Sequence, residues 1–423
     1  MSLVANNKRE FLLIGIASAL VALVFINLGA AFGLRMLAEI ACFTIIALGL
    51  TIQWGYAGLF NAGIMGFIAL SAFVSMLISF PVNDAFWASG DAAPLARVFA
   101  GLGLGIAVTW GINKLPALQS RTKLRRVLVI IAFVITYLVF MQSLAPVASS
   151  IEKTSGFIGG FGLPVWMGWA AGGIVAGVLA WFVGHICLGL RSDYLAIATL
   201  GIAEIIKALL KNADWLTHGT LTVSPLPWPV STPGEIGFVA SRAMYLAVTA
   251  VLIAVIFWLL QRAYSAPWGR MIRAIRDNEL SSAAMGKDVN GRRLEVFVIG
   301  SVLMGIGGAA LVTFNSIFDP SGFLPLHHTF LIWVMVILGG AGNNLGTLIG
   351  TVIVYVVWVM AEPATLAIFD GIRYLGETWF DWQAPNDFDS RALQMRVFVI
   401  GLTITLVLRF APKGLLPEKI REH

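Results

Sequence analysis

Apolar residues occur in long, nearly uninterrupted runs along this chain, and polar residues are concentrated in the segments between them. The pattern predicts spans at 11–34, 36–53, 60–80, 97–113, 127–146, 165–188, 193–211, 243–262, 294–316, 329–359 and 396–410. A helix of about 20 apolar residues covers the hydrocarbon thickness of a bilayer. We therefore predict an all-α polytopic membrane protein with about 10–12 transmembrane segments, organised as a single membrane domain over residues 1–423.

Composition and charge agree with this class. The chain is 58% hydrophobic and 12% charged, whereas soluble domains are about 45–50% apolar and about 25% charged. The formal net charge of +6 comes from short basic connections, which act as topology signals and do not indicate nucleic-acid binding. Lys8 and Arg9 precede the first run as in a signal peptide. That run exceeds the usual apolar core of about 7–15 residues, so we interpret it as a retained span.

The longest basic connection is 261–296, where seven basic residues stand against four acidic ones. Such a segment cannot lie in hydrocarbon, and the bias of Lys and Arg places it in the cytoplasm. Met271, Ile272 and Ile275 recur at helical spacing. Asn278 can cap a second short helix, and Gly286 can end it. The pair of helices forms either a compact protein-binding knob or an amphipathic element on the membrane surface.

The other basic connections fix the predicted topology. They contain Lys114, Arg121, Lys123, Arg125, Arg126, Arg191, Arg409, Lys413, Lys419 and Arg421. Both termini are then expected in the cytoplasm, provided that 329–359 leaves and returns to the outer face. The segment 360–395, with six acidic and two basic residues, is expected to be an extracytoplasmic loop. It is either a docking surface for an external partner or a simple insertion.

Two apolar runs are interrupted by similar glycine-rich sequences. Residues 55–58 read GYAG and are followed by Asn61; residues 339–342 read GGAG and are followed by Asn343. Glycine-broken segments in corresponding halves are typical of transporters built from repeats. Glycine also allows close packing of membrane helices, so both interpretations stay open. The second break predicts that 329–359 consists of two short helices with an unwound or re-entrant link.

Several charged residues fall inside the predicted spans, where each is costly. Glu39 lies four residues after Arg35, which is suitable for a local ion pair. Glu204, Lys207 and Lys211 share one face of a helix and should face protein or water. Glu204 is therefore either part of a translocation path or half of a structural ion pair.

The sequence contains no motif for nucleotide binding or catalysis. The patterns G-x-x-x-x-G-K-[ST], H-E-x-x-H and G-x-S-x-G are absent, so we predict neither ATP binding nor enzymatic activity. His327 and His328 are adjacent, and neighbouring helical residues point about 100° apart. We therefore predict no metal site and no cofactor. Cys42 and Cys187 lie within apolar runs and predict no disulfide framework.

Residues 268–279, with the sequence WGRMIRAIRDNE, and the AMG sequence at 284–286 resemble the coupling loop of the LivM family. This family comprises the permeases of ABC importers for branched-chain amino acids. Further similarity lies in GYAG at 55–58, SDYLAIATLG at 192–201 with Glu204, LGGAG at 338–342 and PKGL at 412–415. The chain departs from the family at 217–223, which lacks a G-P-N-G-like turn, and in its longer 81–126 and 360–395 segments. These departures leave the delivered ligand open.

The resemblance implies an inverted-repeat-like importer permease of the bacterial inner membrane, which works by alternating access. Its implied partners are a LivH-like second permease, two ABC ATPase subunits that hydrolyse ATP, and a periplasmic substrate-binding protein that delivers an amino acid. Residues 264–293 would form the coupling loop. The candidate ATPase-coupling residues are Arg273, Arg276, Glu279 and Gly286, and both arginines are expected to meet carboxylates of the ATPase. The candidate path residues are Tyr56, Asn61, Glu204, Gly339 and Gly342.

Two other functions remain compatible with the sequence. Permeases for urea or short amides share the scaffold of the LivM family. An ion-coupled secondary transporter would also explain Glu204 and Lys207 within a span, and it would need no ATPase.

Overall fold

The computed structural model describes residues 2–115, 122–380, 385, 387–411 and 414–418. Four of the basic residues that were used to predict the topology lie outside this part of the chain: Arg121, Lys413, Lys419 and Arg421. The α-helices, numbered in chain order, are α1 Ser2–Leu50, α2 Ile64–Ser79, α3 Asp84–Ser89, α4 Ala92–Lys114, α5 Thr122–Thr154, α6 Val165–Cys187, α7 Ser192–Asn212, α8 Asp214–Thr217, α9 Pro233–Ile236, α10 Phe238–Ser265, α11 Pro267–Asp277, α12 Glu279–Ala284, α13 Val289–Asn315, α14 Leu331–Gly339, α15 Asn344–Phe380 and α16 Phe388–Phe410.

The all-α membrane architecture predicted from the sequence is confirmed. Within the described residues, seven helices are long and apolar enough to cross a membrane, and the first of them includes all of 8–56. Helices α7 and α16 are 21 and 23 residues long, and α2 is a shorter apolar helix. Pro267 at the start of α11 and the Asn278 cap of α12 separate the charged loop into the two short helices that the sequence predicts.

The first two predicted spans are the two helical arms of α1, which fold back on each other about a non-helical residue. The bend is at Gly29 (φ 81°, ψ 167°), not near residue 35 as predicted. Leu13 packs in a cluster with Ile349, while Thr51 bonds Thr347 at 2.7 Å. In a straight helix Leu13 and Thr51 would be about 57 Å apart, so the two halves must run back to the same end. Glycine is the residue that adopts this positive φ without strain.

The prediction that residues 360–395 form a loop is wrong for most of this segment. Helix α15 continues to Phe380 and α16 begins at Phe388, and residues 381–384 and 386 between them lie outside the described residues. The Phe369 and Phe388 rings pack with their centroids 4.8 Å apart, and Arg373 pairs with Asp389. Contacts between the two helices therefore outweigh the Asp- and Trp-rich composition that suggested a loop.

The second glycine break lies where it was predicted. Helix α14 ends at Gly339 and α15 begins at Asn344. With nine residues, α14 is about 14 Å long and cannot cross a bilayer of about 30 Å alone. The expectation of two short pieces is wrong only for the second, because α15 has 37 residues.

Helix α13 forms the centre of the bundle and packs against α1, α2 and α6. Glycines allow these approaches: a Cβ on Gly308 would lie 2.9 Å from the backbone Cα of Ile68 in α2. Helices α4 and α5 pack mainly on each other beside this bundle. A small apolar cluster of Phe86, Ile151 and Trp215 connects this pair of helices to α3 and α8.

Candidate functional site

The first glycine break, residues 55–63, and the second, residues 339–343, meet at one end of the bundle. We call this the loop end, because it also carries α11 and α12. A Cβ placed on Gly55 would lie 2.3 Å from the backbone nitrogen of Gly342. One turn away, the Thr51 and Thr347 hydroxyls are 2.7 Å apart. The similarity of the two breaks in the sequence therefore corresponds to a direct contact in the fold.

Tyr56 and the glycines of the second break are all part of this contact. The Tyr56 hydroxyl donates to Asn344 Oδ1 at 2.6 Å, and its ring stacks on Tyr264 of α10 at 4.2 Å. Gly342 has φ 83°, a value that favours glycine. A Cβ on Gly339 would lie 2.2 Å from the carbonyl oxygen of Gly346. Both glycines are thus required by close approach or by backbone conformation.

Behind the breaks lies a buried polar network that includes Asn61. Its Nδ2 donates to Gln53 Oε1 at 2.8 Å, and its Oδ1 accepts from the Gly63 N–H at 2.8 Å. Gln53 Nε2 donates to the Phe297 carbonyl and to Ser301 Oγ in α13. Both amide side chains are fully buried. Gln53 was not singled out from the sequence, although an uncharged amide within an apolar run eight residues before Asn61 was a usable signal.

Replacing Asn61 with alanine is expected to destabilise the break. Gln53 and Gly63 would each lose a partner while buried, at a cost of about 1–3 kcal/mol per orphaned group. The apparent Tm of the purified protein in detergent should therefore fall. Asn212→Ala is the matched control, because the exposed Asn212 side chain bonds, among the residues described, only the Ala208 carbonyl of its own helix. Equal Tm values for the two variants would contradict the role assigned to Asn61.

Both candidate arginines of the loop point toward the bundle. Arg276 Nη1 donates to the carbonyl of Gly55, and its Nη2 pairs with Glu418 at 2.9 Å. Arg273 lies over the Tyr264 ring, with its Cζ 4.4 Å from the ring centroid. Residues of the chain itself thus contact both guanidinium groups, and the expected contact with carboxylates of an ATPase stays a prediction.

The electrostatics of the Arg276 site favour this inward pairing. Its side chain is 23% exposed and that of Glu418 is 13% exposed. Burial opposes the charge of the guanidinium, but the Glu418 carboxylate outweighs this effect and raises the pKa of Arg276 above its usual value. The guanidinium thus remains a fixed cation that links α11 to the first break.

Glu279 and Gly286 shape the rest of the loop. Glu279 accepts two hydrogen bonds from Arg293 of α13, at 3.0 and 3.1 Å, and so joins α12 to the central helix. Gly286 has φ 76° and follows the end of α12. Ile272 and Ile275 are 1% and 4% exposed, which shows that the apolar face of α11 packs on the protein itself. This packing favours a compact knob over a helix lying on the membrane surface.

Glu204 does not take part in the contact between the breaks. It is exposed on α7 and forms no hydrogen bond or ion pair with any residue in the described part of the chain, so the ion pair that was one of its two predicted roles is not formed there. Gly201 and Ala208 are exposed on the same helix. The buried side of α7 includes Thr199, whose hydroxyl accepts from the Ala62 N–H at 3.1 Å. Helix α7 therefore links the first break to an exposed charged face.

Among the described residues, no group of three His, Cys, Asp or Glu side chains is placed to hold a metal ion. The ring of His327 packs edge-on against Phe43 at 5.5 Å, and His328 Nδ1 accepts from the Leu324 N–H at 3.3 Å. Both imidazole rings thus have contacts within the protein itself. The site therefore consists of charged and polar contacts between the loop and the two glycine breaks.

Comparisons with known proteins agree with these features. A family model described as "Branched-chain amino acid transport system / permease component" matches residues 32–162 and 130–408. The chain is 30% identical over 255 residues to "Probable branched-chain amino acid transport permease protein LivM" of Methanocaldococcus jannaschii, covering 58% of this chain and 67% of the relative.

Two bacterial proteins are also similar, and both are named "High-affinity branched-chain amino acid transport system permease protein LivM". Identity is 24% to the protein of Escherichia coli and 26% to that of Salmonella typhimurium, in each case over 277 residues. These matches cover 61% of this chain and 58% of each relative. No solved structure matches the chain significantly.

Proposed function

The chain belongs to the family of permease components of branched-chain amino acid transport systems, and from that premise we propose that it is the membrane subunit of an ATP-driven importer. It carries branched-chain or related amino acids across the bacterial inner membrane by alternating access. One observation carries the proposal: Arg276, on the charged loop, contacts the first glycine break, and Glu418 beside it lies against the second. A loop that reaches both irregular segments can transmit a displacement to them.

The loop can act as one small rigid body. Ile272 and Ile275 anchor α11 on the bundle, and the Asn278 side chain caps α12. The Glu279–Arg293 pair joins α12 to α13. When the partner ATPases close on ATP, they displace α12, and α11 and the end of α13 follow. Arg276 passes this displacement to the break at 55–63, and the polar network of Gln53 and Asn61 rearranges with it.

The exposed side of α12 is the surface that meets the ATPase. Leu280 and Met285 are 84% and 78% exposed, and they stand beside the charged residues Asp277 and Lys287. Large exposed apolar side chains bordered by charges mark an interaction site. ATP is hydrolysed by the partner subunits, and this chain supplies no enzymatic site and binds no cofactor.

The double variant Leu280→Asp and Met285→Asp is expected to lose the ATPases on purification, because it places two charges in an apolar interface. The measurement is co-purification of ATPase subunits with the affinity-tagged chain. Leu221→Asp serves as control, because Leu221 is 60% exposed in the connection that follows α8. ATPase recovery equal to the control would contradict the assigned surface.

The exposed face of α7 is the contact with a second, LivH-like permease. A carboxylate at membrane depth is costly in lipid, so Glu204 must face protein or water in the assembly. Gly201 and Ala208 allow a neighbouring helix to approach closely. The path then runs between the two permeases, with Glu204 on its wall and the break at 55–63 beside it. A periplasmic substrate-binding protein delivers the amino acid at the end opposite the loop, and both termini are cytoplasmic.

The test is substrate-stimulated ATP hydrolysis by the assembly that co-purifies with this chain, reconstituted in liposomes. Leucine, isoleucine, valine, urea and a short amide are compared, each with its binding protein. Stimulation by the three amino acids supports the proposal. Stimulation by urea or the amide alone would transfer the chain to the amide-permease alternative.

Ion-coupled transport is the second candidate, and the absence of a partner for Glu204 among the described residues favours it. Uptake by this route would survive ATP depletion and stop with an uncoupler. If the chain is part of an ATP-driven importer, uptake stops on ATP depletion and survives the uncoupler, in vesicles whose ATP content is set by the experimenter. Measuring uptake under both conditions therefore separates the two functions.

A further inference from the structure

Residues 414–418 cross the loop end and bind the second glycine break. The Leu415 N–H donates to the Leu338 carbonyl at 2.7 Å, and the Leu416 N–H donates to the Gly339 carbonyl at 2.9 Å. These carbonyls belong to the last turn of α14, whose acceptors need partners from outside the helix. Leu416 is 1% exposed and packs with Leu13 and Ile349. The segment is thus an integral part of the bundle.

The next two residues of the same segment contact the second break again and the loop. The Pro417 carbonyl accepts from Asn343 Nδ2 at 3.3 Å. Glu418 accepts from the Tyr264 hydroxyl and pairs with Arg276 at 2.9 Å. A Cβ placed on Gly342 would lie 3.3 Å from the Glu418 carboxyl carbon. One carboxylate therefore lies against α10, α11 and the second break.

We propose that residues 414–418 form a strap that fastens α11 to both glycine breaks, and that Glu418 is a positioning residue for transport. The strap makes the loop and the two breaks move as one body. Arg276 contacts the first break directly, and through Glu418 it is also tied to the second. Without the strap, a displacement of α11 would act directly only on residues 55–58, and it would reach the second break only through the contacts between the two breaks. This inference rests on the proposed function, since it assigns the connection through which that function operates.

The packing leaves little freedom for the strap to slide. A Cβ on Gly414 would lie 2.3 Å from the Cα of Gly340, so backbone lies on backbone at this point. The Glu418–Arg276 pair is mostly shielded from water, where a charged hydrogen bond is stronger than at the surface. Separating the strap from the loop would therefore leave the Glu418 carboxylate without its cationic partner, and it would leave Arg276 with only the more exposed Asp277 as a carboxylate partner.

Glu418→Gln tests the role of the charge while keeping the size of the side chain. We expect the amount of substrate transported per ATP hydrolysed to fall about fivefold or more. The glutamine removes the negative charge, and a hydrogen bond between charged groups is weakened by at least this factor when one charge is lost. Chain abundance and ATPase co-purification should not change. The control is Asp387→Asn, which removes a charge from an exposed pair with Arg391 at 2.8 Å. A fall in abundance with an unchanged ratio would assign Glu418 a structural role only and overturn the proposal.

A cross-link between the strap and the second break tests whether they move together. The pair Asn343→Cys and Pro417→Cys is oxidised in the assembled importer, in which the native Cys42 and Cys187 are buried. We expect ready disulfide formation, and transport by the oxidised variant within about twofold of the same variant in its reduced state. Failure to cross-link would contradict the contact. Loss of transport restored by a reductant would show that the strap must separate from the break, which contradicts a single moving body.

These results are distinguishable from failure of the proposed function. If the chain is not part of an ATP-driven importer, the unmodified assembly shows no transport linked to ATP. If only the strap is wrong, the unmodified assembly transports normally and Glu418→Gln has the same transport-to-ATP ratio.

Discussion

An importer that carries Arg276→Ala is expected to hydrolyse ATP while transporting at least about tenfold less substrate. The variant removes the hydrogen bond to the Gly55 carbonyl and the ion pair with Glu418. Hydrogen bonds to charged groups contribute about 1.5–3 kcal/mol, which corresponds to a factor of about 10 or more. ATPase recruitment should persist, because Leu280 and Met285 are untouched. Transport and ATP hydrolysis are measured together in the same proteoliposomes.

Two variants of the same helix sharpen this result. Arg270→Ala is the control, since within the described part of the chain the exposed Arg270 side chain bonds only the Ser265 carbonyl just before α11, at 3.2 Å. Arg276→Lys should be intermediate, because lysine keeps the charge but cannot reach two acceptors with a planar fork. Parallel loss of transport and ATP hydrolysis in Arg276→Ala would show that the residue serves assembly and not coupling.

Gly55→Ala is expected to abolish transport, with a loss of at least about tenfold. Its Cβ would lie 2.3 Å from the nitrogen and 2.9 Å from the Cα of Gly342. Both are backbone atoms, so the two breaks must move apart to accept the methyl group. Overpacking of this kind costs about 1–3 kcal/mol, and here it also displaces the Gly55 carbonyl from Arg276. Uptake is normalised to the amount of folded protein seen in size-exclusion chromatography.

The control for this variant is Gly103→Ala in α4, where no atom lies within 4 Å of the added Cβ. It should transport at the unmodified rate, because alanine also favours a helix more than glycine does. Full transport by Gly55→Ala would mean that the breaks can separate without consequence. Their contact would then be incidental to the mechanism.

The sequence predicted the helices well where a single periodic signal was strong. Helices α6, α10 and α13 occur close to their predicted limits, because apolar runs bounded by charged residues leave few alternatives in a bilayer. The bend at Gly29 was missed because the surrounding residues are all compatible with helix. Helix α15 was cut short in the prediction, since its support comes from packing on α16 and not from its own composition.

The candidate site was predicted in its parts but not in its connections. The glycine breaks and the loop arginines were identified, yet nothing in the sequence showed that Gly55 and Gly342 are in contact. Arg276 was expected to face a partner, because charge in a loop normally indicates solvent. Its partner Glu418 lies 142 residues further along the chain, and no local pattern can reveal a pair at that separation.

The central claim is that the loop and the breaks move together when ATP acts on the assembly. Pulsed electron-spin distances test it most directly, with labels at the exposed positions Asp277, Phe60 and Ile186. On trapping the ATP-bound state, the distance from 277 to 60 should change by less than about 2 Å, which is the size of small helix shifts at interfaces. The distance from 277 to 186 should change by more. A large change between 277 and 60, with 277 to 186 constant, would contradict the account.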